Sequence, residues 1–227
     1  MSEDTERHAM KMAKKKAARD KIMATKTDKK GLIIVHTGKG KGKSTAAFGM
    51  IFRHIAHGMQ SAVVQFIKGG MSTGERDMIL DRFTDICSFH TMGEGFTWET
   101  QDKTRDTEMA QAAWAKAKDL IRDPSNSMVL LDELNIAIRY DYVDINEVVT
   151  FLVEEKPEMT HVVITGRNAK DDLIEIADLV TEMELLKHPF RAGIKAQILG
   201  RIWKKEINQF LLQKRVKKTN GPLKSTG

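Results

Sequence analysis

Apolar residues along this chain come in short runs, and between the runs they recur at helical spacing. Leu32-Ile33-Ile34-Val35, Ala62-Val63-Val64-Gln65-Phe66-Ile67, Ser127 to Glu133 and His161-Val162-Val163-Ile164-Thr165 are short stretches dominated by aliphatic side chains, and Asp85 to His90 is a mixed apolar run. Runs of this length bounded by Gly, Asp or Pro predict buried strands. Between them, Ser44 to Ile55 carries Phe48, Ile51, Phe52 and Ile55 on one face, and Gly74 to Phe83 carries Met78, Ile79 and Phe83. Asp102 to Ile121 repeats Met109, Ala113, Trp114, Ala117 and Leu120, and residues 144–155 repeat Ile145, Val148, Val149 and Leu152. These are amphipathic helices, stopped in turn by His57-Gly58, Asp123-Pro124 and Lys156-Pro157. Asp171 to Ala177 reads as helix and Leu179 to Leu186 as extended chain. Strands alternating with helices across short turns predict a three-layer α/β fold with five or six mostly parallel strands.

The two ends break this rhythm. Residues 6–26 are rich in Ala, Lys, Met and Arg and lack Gly and Pro, which favours helix with only a thin apolar stripe. Such a helix packs loosely, reaches over a neighbouring subunit, or orders with ligand. Gly31 separates it from the body. We therefore divide the chain into an arm, 1–30, a main domain, 31–197, and a basic extension, 198–227, in which Ile202, Trp203, Ile207, Phe210 and Leu211 suggest one further helix.

Charge follows the same division. The formal net charge is +6, but residues 1–30 hold 10 Lys/Arg against 5 Asp/Glu and residues 198–227 hold 8 against 1, which leaves the main domain acidic. Basic arms on an acidic body are more often solvated than bound to nucleic acid. The one cysteine, Cys87, excludes an internal disulfide and reads as a buried thiol in a reducing cytoplasm. No apolar run approaches the ~20 residues that span a bilayer, and the N-terminus has no apolar signal core.

The candidate chemistry starts at Thr37-Gly38-Lys39-Gly40-Lys41-Gly42-Lys43-Ser44-Thr45, directly after the first strand and directly before a helix. Glycines let backbone N–H groups turn around an anion, the helix offers its positive end, and Lys43 and Ser44 supply an ammonium and a metal-binding hydroxyl. The loop is one residue off the usual G-x-x-x-x-G-K-[ST] spacing, with Thr37 where glycine is expected and glycine at position 38. Asp132 and Glu133 end a buried strand, and in a parallel sheet that end faces the ligand, where they meet the cation of a bound nucleotide. Arg167, at the exit of the 161–165 strand, either holds phosphate or a substrate carboxamide, or pairs with a nearby carboxylate. Gly95-Phe96-Thr97-Trp98 places two large aromatics in one loop, as a core plug or as part of a site.

Several blocks in order carry a resemblance. His36-Thr37-Gly38 with the loop through Gly49, Val64 to Gly69, Gly74-Glu75-Arg76, Gly95 to Thr100, Leu131 to Leu134, Tyr140-Asp141-Tyr142, Ile164 to Arg167 and Lys187-His188-Pro189-Phe190 together resemble the ATP:corrinoid adenosyltransferases of the BtuR/CobA/CobO type, over roughly residues 6–197. The resemblance implies a RecA-type P-loop NTPase fold and transfer of the 5′-deoxyadenosyl group of ATP to the Co(I) of a corrinoid, with release of triphosphate. It implies ATP binding by Gly38, Lys39, Gly40, Lys41, Gly42, Lys43, Ser44, Thr45 and Arg167. Mg²⁺ or Mn²⁺ would sit on Ser44, Asp132 and Glu133, and the corrinoid against Phe96, Trp98, His188 and Phe190. Lys43, Phe96 and Trp98 would be catalytic, the two rings filling the lower axial face of the corrinoid. A homodimer with the N-terminal helix over the partner's site and a reduced flavoprotein electron donor are implied in the same way. Lys39 and Arg191 depart from the residues usual there. The competing expectation is a P-loop ATPase that binds nucleic acid through its basic arms.

Overall fold

The structure is a computed structural model, and it describes residues 3–67, 73–92, 103–189 and 193. Phe96, Trp98, Phe190, Arg191 and the extension from 198 onward lie outside the described residues.

Six parallel strands form one sheet in the order β3-β2-β4-β5-β1-β6. They are β1 (Ile33–Thr37), β2 (Ser61–Gln65), β3 (Cys87–Thr91), β4 (Met128–Asp132), β5 (His161–Thr165) and β6 (Leu179–Glu182). β1, β2 and β4 are buried along their whole length, as runs with apolar side chains on both faces require. β6 is exposed throughout and stops at Glu182, so the extended reading of 179–186 holds only for its first half.

Helices cover both faces. α2 (Lys43–Ala56) and α3 (Gly74–Arg82) lie on one side, where Phe48, Ile51 and Ile79 pack with Ile34, Val63, Leu130 and Val163. The other side takes α4 (Lys103–Arg122), α5 (Leu134–Arg139), α6 (Ile145–Glu154) and α7 (Asp171–Ile176) through Trp114, Ile121, Leu134, Val148 and Leu173. Fully buried Ile51, Ile121 and Leu173 each gain about 1.5–3 kcal/mol from leaving water. Neighbouring strands β1 and β5 therefore send their connections to opposite faces, which opens a crevice at their C-terminal ends.

Three details differ from the sequence reading. The buried stripe of α4 is Ala110, Ala113, Trp114, Ala117 and Ile121, rotated from the expected one, so Met109 and Leu120 are only half-buried. Trp114 decides this rotation, because its indole packs edge-on against Phe151 and donates to Glu147 Oε1 at 2.9 Å. In α3, Ile79 is buried while Met78 is exposed. The short helix α5 was not anticipated, although Leu134, Ala137 and Ile138 have helical spacing. At the other end, α1 (Glu3–Met23) is exposed from Asp4 onward, in keeping with its thin apolar stripe.

Cys87 is buried and unpaired, and burial pushes its thiol up to about 12. Among the described residues no helix is long and apolar enough to cross a membrane.

Candidate functional site

β1 ends at Thr37, and the glycine-lysine loop carries the chain to Lys43, the first residue of α2. Lys43 is buried, at 8 % exposure, and its Nζ donates to the carbonyl oxygens of Gly38 at 2.9 Å and Gly40 at 2.5 Å. The ammonium is thus held inside the loop, while Lys39, Lys41 and Thr45 are exposed and Ser44 is half-buried. Three cations along a short loop at the positive end of a helix make a strongly anion-seeking surface.

The chain after β6 fixes the shape of this loop. Met183 N–H donates to Thr37 O at 2.9 Å, and Gly40 N–H donates to Met183 O at 2.5 Å. A Cβ at Gly38 would come within 2.5 Å of Met183 O, and its φ of 92° is one that side chains disfavour. The Gly40 amide is therefore engaged by a carbonyl and does not join the row of amides expected to face an anion. Off-pattern Thr37 also has an explanation: its Oγ1 accepts the Ala169 N–H at 3.0 Å, which ties the loop to the exit of β5. His36 Nδ1 lies 3.3 Å from Lys43 O, and since a carbonyl only accepts, Nδ1 carries the proton.

Beside the loop, polar side chains form a row across the C-terminal edge of the sheet. Gln65 pairs in register with Thr91 on one side and Asp132 on the other, and Thr165 pairs with His36. Each lies two residues beyond a core residue of the α2 side, so alternation puts the row on that face, below the start of α2. Asp132 is fully buried; its Oδ2 accepts from Gln65 Nε2 at 2.9 Å and its Oδ1 from Thr165 Oγ1 at 2.8 Å. Glu133 follows with φ 66°, a left-handed conformation, and its N–H donates to Thr165 Oγ1 at 3.0 Å. A non-glycine residue held there stores strain, which is common at functional sites. Asn135 Nδ2 donates to Gly166 O at 3.1 Å and holds the β5 exit against α5.

The structure thus brings together Gly38 to Thr45, Asp132 and Glu133 at one edge of the sheet. Arg167 is exposed at the same edge, next to Asn168 with φ 56°, and His188 is half-buried. Gln65, Thr165 and His36 belong to this site and had no role assigned from the sequence. The available signal was a polar residue closing an otherwise aliphatic strand, as in Val63-Val64-Gln65 and Val163-Ile164-Thr165. Among the described residues no group of three His, Cys, Asp or Glu is arranged to hold a metal unaided. The oxygen donors Ser44, Asp132 and Glu133 nevertheless suit Mg²⁺, which keeps several waters and leans on substrate phosphates. A separate surface cavity of 350 Å³, lined by Trp114, Lys118, Tyr142 and Glu147, belongs to the α4/α6 side. There the Lys118 hydrogen bond holds the Glu147 carboxyl below its usual range.

A glycine-lysine loop between β1 and α2, with a buried aspartate two strands away across β5, defines a P-loop NTPase-type α/β protein. Residues 29–198 match the family described as ATP:corrinoid adenosyltransferase BtuR/CobO/CobP, and residues 1–23 match cob(I)alamin adenosyltransferase N terminal. A corrinoid adenosyltransferase of Sinorhizobium sp is 78 % identical over 194 residues, 86 % of this chain and 91 % of the relative. Those of Pseudomonas aeruginosa and Escherichia coli K12 are 51 % and 44 % identical, over 86 % and 85 % of this chain and 95 % and 96 % of theirs. The chain belongs to this family of ATP:corrinoid adenosyltransferases, and it is a transferase. Among solved structures, the cytoplasmic domain of EssC aligns with a TM-score of 0.42 and 8 % identity, over 74 % of this chain and 34 % of that one.

Proposed function

We propose that this enzyme transfers the 5′-deoxyadenosyl group of ATP to the Co(I) centre of a corrinoid substrate and releases triphosphate. The match of residues 29–198 to the family carries the reading, and the geometry of the loop supports it. In the reaction the Co(I) electron pair forms the Co–C5′ bond as the C5′–O bond breaks, and the electrons of that bond leave on triphosphate. No proton has to be removed from the nucleophile, so no general base is required. Charge builds on the leaving oxygen, which is where preorganised positive groups contribute most.

Lys43 is suited to this role because its ammonium is already desolvated and held among loop carbonyls that a phosphate oxygen can replace. Lys39, Lys41, Ser44, Thr45 and Arg167 hold the rest of the triphosphate. Ser44, Asp132 and Glu133 would hold a divalent cation, Mg²⁺ or Mn²⁺, which when bound would supply positive charge against the leaving group. Phe96, Trp98, His188 and Phe190 face the corrinoid, with the two rings of the 95–100 loop excluding water from its lower axial face and easing reduction to Co(I). The enzyme acts in the cytoplasm as a homodimer whose N-terminal helix covers the partner's site, and a reduced flavoprotein supplies the electron.

Product analysis tests the reading. Incubation with ATP, Mg²⁺ and a chemically reduced corrinoid is expected to yield triphosphate and a light-sensitive adenosylcorrinoid in equal amounts. ADP and phosphate released without corrinoid would overturn it in favour of an ATPase.

A further inference from the structure

We propose that Gln65 and Thr165 are the positioning residues of Asp132, one on each carboxylate oxygen, and that together they set the affinity of the nucleotide site for its divalent cation. The inference rests on the reading of Asp132 as a metal-holding carboxylate.

Asp132 is the only one of the three residues whose charge the reaction needs, yet it has no exposure at all. Its orientation is decided by what flanks it. On the β2 side Gln65 Nε2 donates to Oδ2, and on the β5 side Thr165 Oγ1 donates to Oδ1, so the carboxylate plane is pinned from both neighbouring strands.

The direction of each bond is forced. Thr165 has one hydroxyl proton, and because the Glu133 N–H already donates to Oγ1, that proton goes to Asp132. One hydroxyl thereby fixes both the Asp132 carboxylate and the left-handed turn at Glu133. For Gln65, a reversed amide would aim its oxygen at the carboxylate, so Nε2 must face Asp132. This leaves Gln65 Oε1 buried with no hydrogen-bond partner among the described residues. A buried, unpaired amide oxygen is costly to stability. Leucine or methionine would avoid that cost at a position only 1 % exposed. The glutamine is explained by the bond it gives to Asp132.

The test uses the full-length protein with ATP and Mn²⁺, following free Mn²⁺ by electron paramagnetic resonance, and metal-free ATP binding in EDTA by calorimetry. Gln65→Met and Thr165→Val are each expected to weaken Mn²⁺ binding to the ATP complex by about tenfold or more, the usual consequence of losing a residue that orients a metal ligand. Thr165→Ser, which keeps the hydroxyl, restores most of it, and metal-free ATP binding stays at the wild-type level throughout. Thr165→Ala replaces the valine variant should that fail to fold. Wild-type Mn²⁺ affinity in Gln65→Met and Thr165→Val, with weak binding in Asp132→Asn, would overturn the positioning role and leave the metal reading standing. Wild-type affinity in Asp132→Asn would overturn the metal reading itself. A parallel loss of metal-free ATP binding would make the two residues structural and likewise overturn the proposal.

Discussion

At the N-terminal end of the sheet, Lys156 Nζ donates to the carbonyls of Gly31, Pro157 and Thr160 at 3.0–3.1 Å. His161 Nδ1 accepts the Leu32 N–H at 3.1 Å, and Asp178, paired with Lys30, accepts the Ile33 N–H at 2.9 Å. At the C-terminal end, Gln65 Oε1, Thr91 Oγ1 and Asn135 Oδ1 are buried without partners among the described residues, and Glu133 sits at a disfavoured φ. Around β1 and β5 the sheet therefore satisfies the strand entries, although Ser88 Oγ near the start of β3 is also buried without a partner among the described residues, and at the exits it leaves several polar atoms unpaired. Unpaired buried groups are costly, so the exits give up stability for a site and the entries hold the fold. Substitutions at the two ends should separate accordingly: activity without stability at one, stability without activity at the other.

The largest expected effect is at the exits. Lys43→Ala removes the buried ammonium of the loop, and adenosyl transfer should fall by about 10²–10³-fold or more, as for a lost preorganised charge at a leaving group. ATP affinity, read by calorimetry, should fall with it, while the melting temperature changes little. A Lys43→Ala enzyme with full transfer would break the comparison at its strongest point.

Gly31 offers the matching break at the entries. Its sequence reading was a spacer, yet a Cβ there would meet Thr160 O at 2.3 Å and Met159 C at 2.5 Å, both backbone atoms that side-chain rotation cannot move. Gly31 N–H also donates to Glu158 O at 2.6 Å. Gly31→Ala should destabilise by about 1–3 kcal/mol or more through forced overpacking, measured by urea unfolding. Specific activity per folded molecule should be retained.

This contrast shows what the sequence made legible. The central strands came from aliphatic runs, as in β1, β4 and β5, and the phosphate loop from its glycines and lysines between a strand and a helix, because both signals are local. Thr37, Gln65 and Thr165 acquire their roles only across strands or from the β5 exit, and a polar residue ending a strand does not announce its partner. The engagement of Gly40 N–H by Met183, more than 140 residues away, has no local trace either. Gly31 was visible as a break in pattern, but its contact with the 157–160 turn depends on how the β5 approach packs. The helix α5 was hidden because the left-handed turn at Glu133 starts it without any capping side chain.

Lys156→Met tests the entries more gently. Methionine keeps the aliphatic stem and removes the three hydrogen bonds, so the carbonyls of Gly31 and Thr160 lose this donor while that of Pro157 keeps the Thr160 N–H. A loss of about 1–3 kcal/mol is expected for such unpaired groups, visible as a lower urea midpoint with an unchanged slope. Burial already holds the Lys156 ammonium below its usual pKa, so part of its charge is expressed at a cost. ATP affinity should not change; a drop would mean that the two ends are coupled.

The smallest effect concerns His161. To accept the Leu32 N–H, its Nδ1 must be unprotonated, so the bond exists only in the neutral ring. Burial, then the neighbouring His54 and Lys156, hold the folded pKa of His161 below its ordinary value of 6.5. His54, edge-on to it at 5.9 Å, is lowered too, chiefly by burial, with His57 adding to the effect. For a base with a lowered folded pKa, the unfolded chain binds more protons in the window between the two values, so stability rises with pH there. The contribution is fully present above 6.5 and is lost as pH falls from there through the folded pKa. Each such proton contributes at most about 1.4 kcal/mol per pH unit. His161→Gln retains an acceptor for Leu32 and removes the titration, so the fall in urea midpoint between about pH 8 and pH 5 should become shallower. A residual slope should remain, because burial lowers His54 and His90 as well. An unchanged slope in His161→Gln would place the pH sensitivity at His54 or His90 and remove His161 from the groups that secure the strand entries.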